Sequence, residues 1–411
     1  MIKKLSAIVG IFLCASVAWV VLGSTILSRT YSSDAKLKRK VQRIWGTPQS
    51  QVAPSASYSI QKERKKVRTV DGKREVTTER YSEERRVPLM QSDVDLGLSL
   101  EHRQKGLLWY STYKVRFSGK YRFKNTHNQP AVLKIVFPFP SAGAIYDDFA
   151  FSIEDANWLE KPIPTQGQAV GRVRVPPGRE VTVRVGYRSQ GLDDWTYRFG
   201  TGIEEVNRFN LVMDTDFRDI DFPDDSISPT SKEETADGWR LKWSYKRLLA
   251  GVSIGMAMPQ RLQPGPLAGK ISFFAPVSLF FFIVVLFTIT AIRGIRMHPM
   301  HYLFLSGAFF AFHLLLAYLV DHVSIHAGFA ISAVVSLGLV VSYLRLVVSD
   351  RFAFVEAGGA QLMYLVLFSY AFFFKGITGL AITVGAIVTL FLMMQVTAKL
   401  DWDKVFEESK G

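Results

Sequence analysis

Residues 271–292 read ISFFAPVSLFFFIVVLFTITAI, twenty-two positions without a charged side chain. At ~1.5 Å per residue a helix of this length crosses the ~30 Å hydrocarbon core of a bilayer, so the segment is a candidate membrane span. Four more such runs follow it, Tyr302–Val320, Ala327–Leu344, Ala357–Phe374 and Ile377–Val396, and one precedes it, Leu5–Leu27. Residues 28–270, between the first run and the other five, are polar and alternate apolar with polar positions, the period of strands. This uneven distribution predicts an α+β membrane protein. It has a β-rich, sandwich-like exported domain and a six-helix transmembrane topology, one helix N-terminal and five C-terminal.

The net charge of +14 would by itself suggest a nucleic-acid binder. Its distribution argues otherwise. Residues 28–270 hold 40 of the 50 Lys and Arg and 29 of the 36 Asp and Glu, a net of +11 in the exported segment. A basic domain beside a bilayer meets anionic lipid or wall polymer rather than DNA. The expected partners are therefore the lipid bilayer and an envelope protein or a wall or lipid component, with no nucleic acid. Cys14, inside the first apolar run, is the single cysteine, so the domain has neither a disulfide nor a Cys-ligated metal. That usage fits a bacterial periplasm. The first run exceeds the 7–15 residues of a secretory h-region and lacks a small-residue cleavage pattern, and Phe12-Leu13 before Cys14 make no lipoprotein box. It reads as an uncleaved anchor.

Loop charges orient the spans. Arg293 and Arg296 occupy the first link of the C-terminal group, and Arg345 and Arg351 the third. The second link, Asp321 to His326, has no Lys or Arg; the fourth has only Lys375, and Lys399 and Lys404 follow the last run. Positive charge thus alternates from side to side, which predicts both termini in the cytoplasm and residues 28–270 outside. The expected division is 1–27 anchor, 28–58 juxtamembrane tether, 59–262 β-rich exported domain, 263–400 five-span bundle and 401–411 cytoplasmic tail. Leu262–Pro266 reads as the linker into the second span.

Three turns are expected in the exported domain. Asp71-Gly72 sits between Val67–Val70 and Glu75–Thr78, a two-residue hairpin signal. Pro176-Pro177-Gly178 separates Arg172–Val175 from Val181–Val185, and Ser118-Gly119 separates Tyr113–Phe117 from Lys120–Phe123. Trp239-Arg240-Leu241-Lys242-Trp243 alternates bulky with basic residues and reads as a strand with one buried face. Lys62 to Arg86 is densely charged with mixed signs, the solvated face of a hairpin rather than a ligand patch.

Chemistry is sparse. There is no Gly-x-Ser-x-Gly, HExxH or phosphate-cradling P-loop, so no catalytic or cofactor-binding residue is assigned and a non-enzymatic role is expected. Asp214, Asp216, Asp219, Asp221, Asp224 and Asp225 cluster without the EF-hand pattern and read as loop residues. Five of the seven histidines, His298, His301, His313, His322 and His326, fall around the third span. On a helix, His322 and His326 beside Asp321 would align two imidazoles for a metal. The two ends of the span lie ~30 Å apart, however, so His298 and His301 share no site with the outer trio, and no metal is expected. His313 is mid-span, where an ionisable residue is a functional candidate by default. It has few polar companions, which favours a hydrogen bond to a neighbouring helix over ion coupling. The candidate functional residues are His298, His301, His313, Asp321 and His322.

Arg296-Met297-His298-Pro299-Met300-His301-Tyr302, leading through an apolar span to Asp321-His322, resembles the CreD family of bacterial inner-membrane proteins. In that family an Arg-x-His-Pro-x-Gln-Tyr entry precedes a Glu-His exit; here His301 replaces Gln and Asp321 replaces Glu. Looser matches are Pro229-Thr230-Ser231-Lys232-Glu233 with Gly238-Trp239 and Trp243, and Glu101-His102-Arg103 with Gly106, Tyr113 and Gly119. Together they run from about residue 90 to 345. The resemblance implies the inner membrane, a periplasmic domain and a part in envelope integrity or envelope-stress tolerance, and it carries over no catalytic residue. The expected function is a non-enzymatic envelope protein acting through its periplasmic binding domain; the alternative is a transporter or channel using the C-terminal helices.

Overall fold

The computed structural model describes residues 2–398 except 71–72, 106–107, 155, 166, 201–204, 250, 252, 375 and 377. They form two compact units. One is β-rich and built from residues 37–105 and 109–261; the other is helical and built mainly from the first 36 residues and those from 262 onward.

The largest sheet of the β-rich unit has seven strands. Its order is β13 (Ser231–Glu234), β14 (Trp239–Leu249), β12 (Glu205–Thr215), β4 (Leu89–Lys105), β5 (Leu108–Lys124), β10 (Glu180–Leu192) and β7 (Tyr146–Glu154). A five-stranded sheet runs β3 (Lys73–Val87), β2 (Ser55–Val70), β6 (Ala131–Pro138), β9 (Gln168–Val175) and β8 (Trp158–Thr165). A small third sheet joins β1 (Gln49–Val52), β11 (Asp194–Arg198) and β15 (Ser253–Ala257). The two large sheets meet over an aromatic core. Phe117 of β5 stacks on Tyr187 of β10 at 4.9 Å, and Phe137 of β6 lies within 6.3 Å of both. Strand alternation supplies this core, since Val181, Val183, Val185 and Tyr187 are all buried. On β14, Leu241 and Trp243 are buried, and the Trp243 indole donates to the Ile227 carbonyl. That strand packs inward, as its pattern requires.

Several local expectations need correction. Ser118-Gly119 is no turn, because β5 runs unbroken from Leu108 to Lys124 and pairs with β10 throughout Thr112–Lys124. Gly119 has instead the Tyr121 ring lying where a Cβ would be, a close approach that only glycine permits. Pro176-Pro177-Gly178 does turn the chain, with Arg179 N–H donating to the Pro176 carbonyl, yet it carries it from β9 in one sheet to β10 in the other. Two of the ladders are parallel, β1 with β11 and β4 with β12. Asp71-Gly72 lies outside the described residues, although β2 and β3 pair up to Val70 opposite Lys73. The stretch 28–58, expected as a tether, is helix through Trp45 and then strands β1 and β2. Leu262–Pro266 is likewise mostly helix: Pro264 opens the second helix, where a missing N–H costs nothing.

Glu101-His102-Arg103 lies at the end of β4. Arg103 bonds Glu101 at 2.6 Å and stands over the Trp45 ring at 3.2 Å, while Arg261 stands over Trp109. Gly106, the next residue of that match, is outside the described residues. Burial, reinforced by the charge of Arg261, holds the His102 imidazole below its ordinary pKa of 6.5. The folded state therefore favours neutral His102, so its contribution to stability is complete above about pH 6.5 and is lost as pH falls below that toward the folded value. The thermal midpoint of the β-rich unit should drop between pH 7 and pH 5 in the native protein and drop less in a His102→Gln variant. Parallel slopes for the two proteins in pH-dependent melting would remove His102 as the cause.

The helical unit contains residues 2–36 of α1 (Ile2–Trp45), with α2 (Pro264–Ile292), α3 (Pro299–Leu319), α4 (Ile325–Val347), α5 (Phe352–Phe373) and α6 (Thr378–Thr397). Each is long and apolar enough to cross a membrane. α1 packs on α2 where small residues remove side-chain bulk. A Cβ on Gly23 would lie 3.2 Å from the Phe273 backbone, and one on Gly265 would lie 2.7 Å from Thr30 Oγ1. In lipid, where hydrophobic burial gives no advantage, such close backbone approach is a main source of helix association. α6 differs from its neighbours in that only Thr389 is buried.

Candidate functional site

The His-Pro entry is a helix start whose side chains tie three helices together. His298 is the N-cap of α3 and accepts from Met300 N–H, while Pro299 takes the first helical position. One turn on, His301 Nδ1 lies 2.7 Å from the Tyr343 hydroxyl of α4, and the Tyr302 hydroxyl lies 3.4 Å from Thr290 Oγ1 of α2. At the other end of α3, Asp321 accepts from Arg29 of α1 at 2.9 Å. His322 is exposed in the following turn, and Ser324 caps α4 before His326 is reached. His322 and His326 therefore do not share one helix, and His326 packs beside the Phe373 ring. Among the described residues no group of three His, Cys, Asp or Glu could hold a metal.

His313 is fully buried. Its Nδ1 is 3.0 Å from the Phe309 carbonyl of its own helix, so that nitrogen carries the proton and donates, leaving Nε2 as the free acceptor. The expected bond to a neighbouring helix is replaced by aromatic contact, with the Trp19 indole of α1 edge-on at 5.7 Å. A second polar group lies between α3, α4 and α5. Ser336 donates to the Ala308 carbonyl at 2.7 Å and receives from Gln361 Nε2 at 2.8 Å. Gln361 Oε1, His313 Nε2 and Trp19 Nε1 are buried with no partner among the described residues.

Gln361 sits between two π-helical stretches, Phe352–Ala357 and Leu362–Leu367. π-turns leave main-chain carbonyls off the regular ladder, and Ser278 of α2 donates to the carbonyl of Tyr364 within the second stretch. At the end of α2, Arg293 bonds Glu356 of α5 at 2.6 Å. Sequence reading singled out the histidines and passed over Gln361, Glu356 and Arg29. The available signal was a polar amide in the middle of an apolar run; its partners were invisible, because Ser336 lies 25 residues away on another helix.

On the β-rich unit four of the six residues of the acidic cluster are engaged by the protein itself. Asp214 pairs with Arg240 through both carboxylate oxygens, and Asp216 accepts from Ser99 Oγ and Leu100 N–H. Asp221 caps its own loop at Phe222 N–H, and Asp225 faces Arg198 at 3.7 Å.

Six apolar helices tied by interhelical hydrogen bonds, together with a separate β-rich unit, define a polytopic membrane protein. Residues 272–403 match the family model of inner membrane protein CreD. The match begins in α2 and leaves the β-rich unit outside it. No curated protein matches the chain. Among solved structures, a proposed nutrient-binding protein of Legionella pneumophila is 11% identical over 48% of this chain and 72% of its own, with a TM-score of 0.33. An M1 zinc metallopeptidase of Deinococcus radiodurans is 10% identical over 42% of each chain, with a TM-score of 0.23. Yeast LTA4 hydrolase is 10% identical over 48% of this chain and 35% of its own, with a TM-score of 0.21.

Proposed function

We propose that the chain is a bacterial inner-membrane protein with both termini in the cytoplasm and residues 28–270 in the periplasm, and that it supports envelope integrity by binding an envelope component without catalysing a reaction. The supporting observation is where free surface lies. Within the helical unit the histidines and serines are largely engaged in caps and helix–helix bonds, as with His298, His301 and Ser336. The β-rich unit instead exposes large apolar side chains at Ile145, Leu159 and Ile163, on or beside the end strands of its two large sheets. A binding role uses such a surface; a transport role would draw on Gln361 and His313, whose spare acceptors make up a small polar set.

Deletion of the gene should then raise sensitivity to detergents, β-lactams and colicins, with restoration by the intact gene. Unchanged sensitivity to all three classes would sink the proposal.

A further inference from the structure

Among the described residues of the β-rich unit, the three most exposed large apolar side chains are Ile145 at 74%, Ile163 at 69% and Leu159 at 58%. All three stand on or directly beside β7 and β8, the end strands of the two large sheets, and outside the lining of the groove between those strands. Between those strands lies a groove of about 760 Å³, within the ~300–1,000 Å³ typical of small-ligand clefts. Its wall carries Phe149, Phe151 and Trp158. Phe151 and Trp158 meet edge to face at 5.3 Å, and Phe151 and Phe149 both contact the buried Phe137, so the aromatic core opens directly onto the groove.

The shape of the edges decides what fits. Pro162 and Pro164 leave β8 without two of its N–H donors. β7 is irregular at its start, with Asp148 at φ 51 and a register shift against β10 between Gly186 and Arg188. Both edges are poor templates for an added peptide strand. An aliphatic chain needs no backbone partners, and the aromatic wall suits it. The charged residue lining the groove, among those described, is Lys161. One groove with one cation matches a single chain ending in one anion, whereas a diacyl lipid would leave its second chain in water.

We propose that the groove between β7 and β8 binds a long-chain fatty acid, its chain against Phe149, Phe151 and Trp158 and its carboxylate at Lys161. This names a ligand for the binding role proposed above and rests on that reading. The two fail separately, since an unchanged stress phenotype would remove the envelope role and leave the ligand site standing.

The test uses the full chain in lipid nanodiscs, photolysed with a diazirine-bearing palmitate, with adducts mapped by peptide mass spectrometry. Adducts are expected on residues 146–165, displaced by unlabelled palmitate. Lys161→Glu lies at an exposed position and should lower this labelling by up to about fivefold, as loss of a surface ion pair allows. Phe151→Asp should abolish it, and labelling by the corresponding diazirine alcohol should be indifferent to Lys161→Glu. Adducts confined to the helices, palmitate labelling unchanged by Lys161→Glu, or displacement by a diacyl phospholipid but not by palmitate would each overturn the proposal. So would occupancy of the groove by a second copy, seen as Leu159-to-Leu159 cross-links in a Leu159→Cys variant that block labelling.

Discussion

Gly238→Ala should destabilise the β-rich unit by about 3 kcal/mol or more and lower its thermal midpoint by roughly 10 °C. Gly238 is buried just before β14, where its backbone lies against the end of β12. A Cβ there would stand 2.2 Å from the Thr215 carbonyl oxygen and 2.8 Å from Phe217 N, and both neighbours are main chain. No side chain can swing aside. The surrounding bonds resist movement as well: Trp239 N–H donates to Thr215 Oγ1, the Trp239 indole donates to the Arg218 carbonyl, and Thr235 Oγ1 accepts from Gly238 N–H. Gly143→Ala is the matched control, since nothing lies within 4 Å of a Cβ at that position. It should shift stability by no more than ~0.5 kcal/mol. The measurement is tryptophan-detected thermal unfolding of the full protein in nanodiscs, and equal midpoints for the two variants would show that the strands yield without cost.

Trp19→Ala should loosen α1 from the other helices by about 2 kcal/mol. Trp19 is fully buried, with Phe310 at 5.4 Å and His313 at 5.7 Å. In a water-soluble core such a truncation costs ~3–5 kcal/mol. Here lipid tails replace water as the alternative environment, so the loss is mainly packing, and the expected value is smaller. A cysteine pair at Thr30→Cys and Gly265→Cys reports the contact, because a Cβ at 265 lies 2.7 Å from Thr30 Oγ1. Disulfide yield at that pair should fall in the Trp19→Ala background. Undiminished yield and an unchanged melting temperature would mean that α1 is an independent anchor with no packing role.

The β-strands were legible where alternation kept its phase. Tyr113, Val115 and Phe117 and then Tyr121 and Phe123 are buried in one unbroken period of two through Ser118-Gly119. Reading a turn there gave glycine its commonest meaning, and the conserved phase across it was the better guide. The stretch after the first span misled for the opposite reason. Lys36 to Arg43 is too basic to look like a buried helix, yet Lys38 bonds Asp193 at 2.7 Å and Trp45 lies under Arg103. Contacts with residues 58 to 155 positions away stabilise that helical turn, and no local pattern announces them.

The histidines follow the same logic. His298 could be read locally, since an N-cap before Pro299 needs only neighbours in sequence. His301, His313 and Asp321 could not, because their partners Tyr343, Trp19 and Arg29 are on other helices. Hydropathy alone determined the helices that can enter a bilayer, because the desolvation of a polar backbone in hydrocarbon is set by composition and length. Period-two alternation alone determined that most of the residues between the first and second helices are strands. Which strands pair, which polar groups meet inside the helical unit, and the groove between β7 and β8 were decided by tertiary structure. Those features depend on pairing between distant segments, where one residue of register or one turn of helix changes every partner.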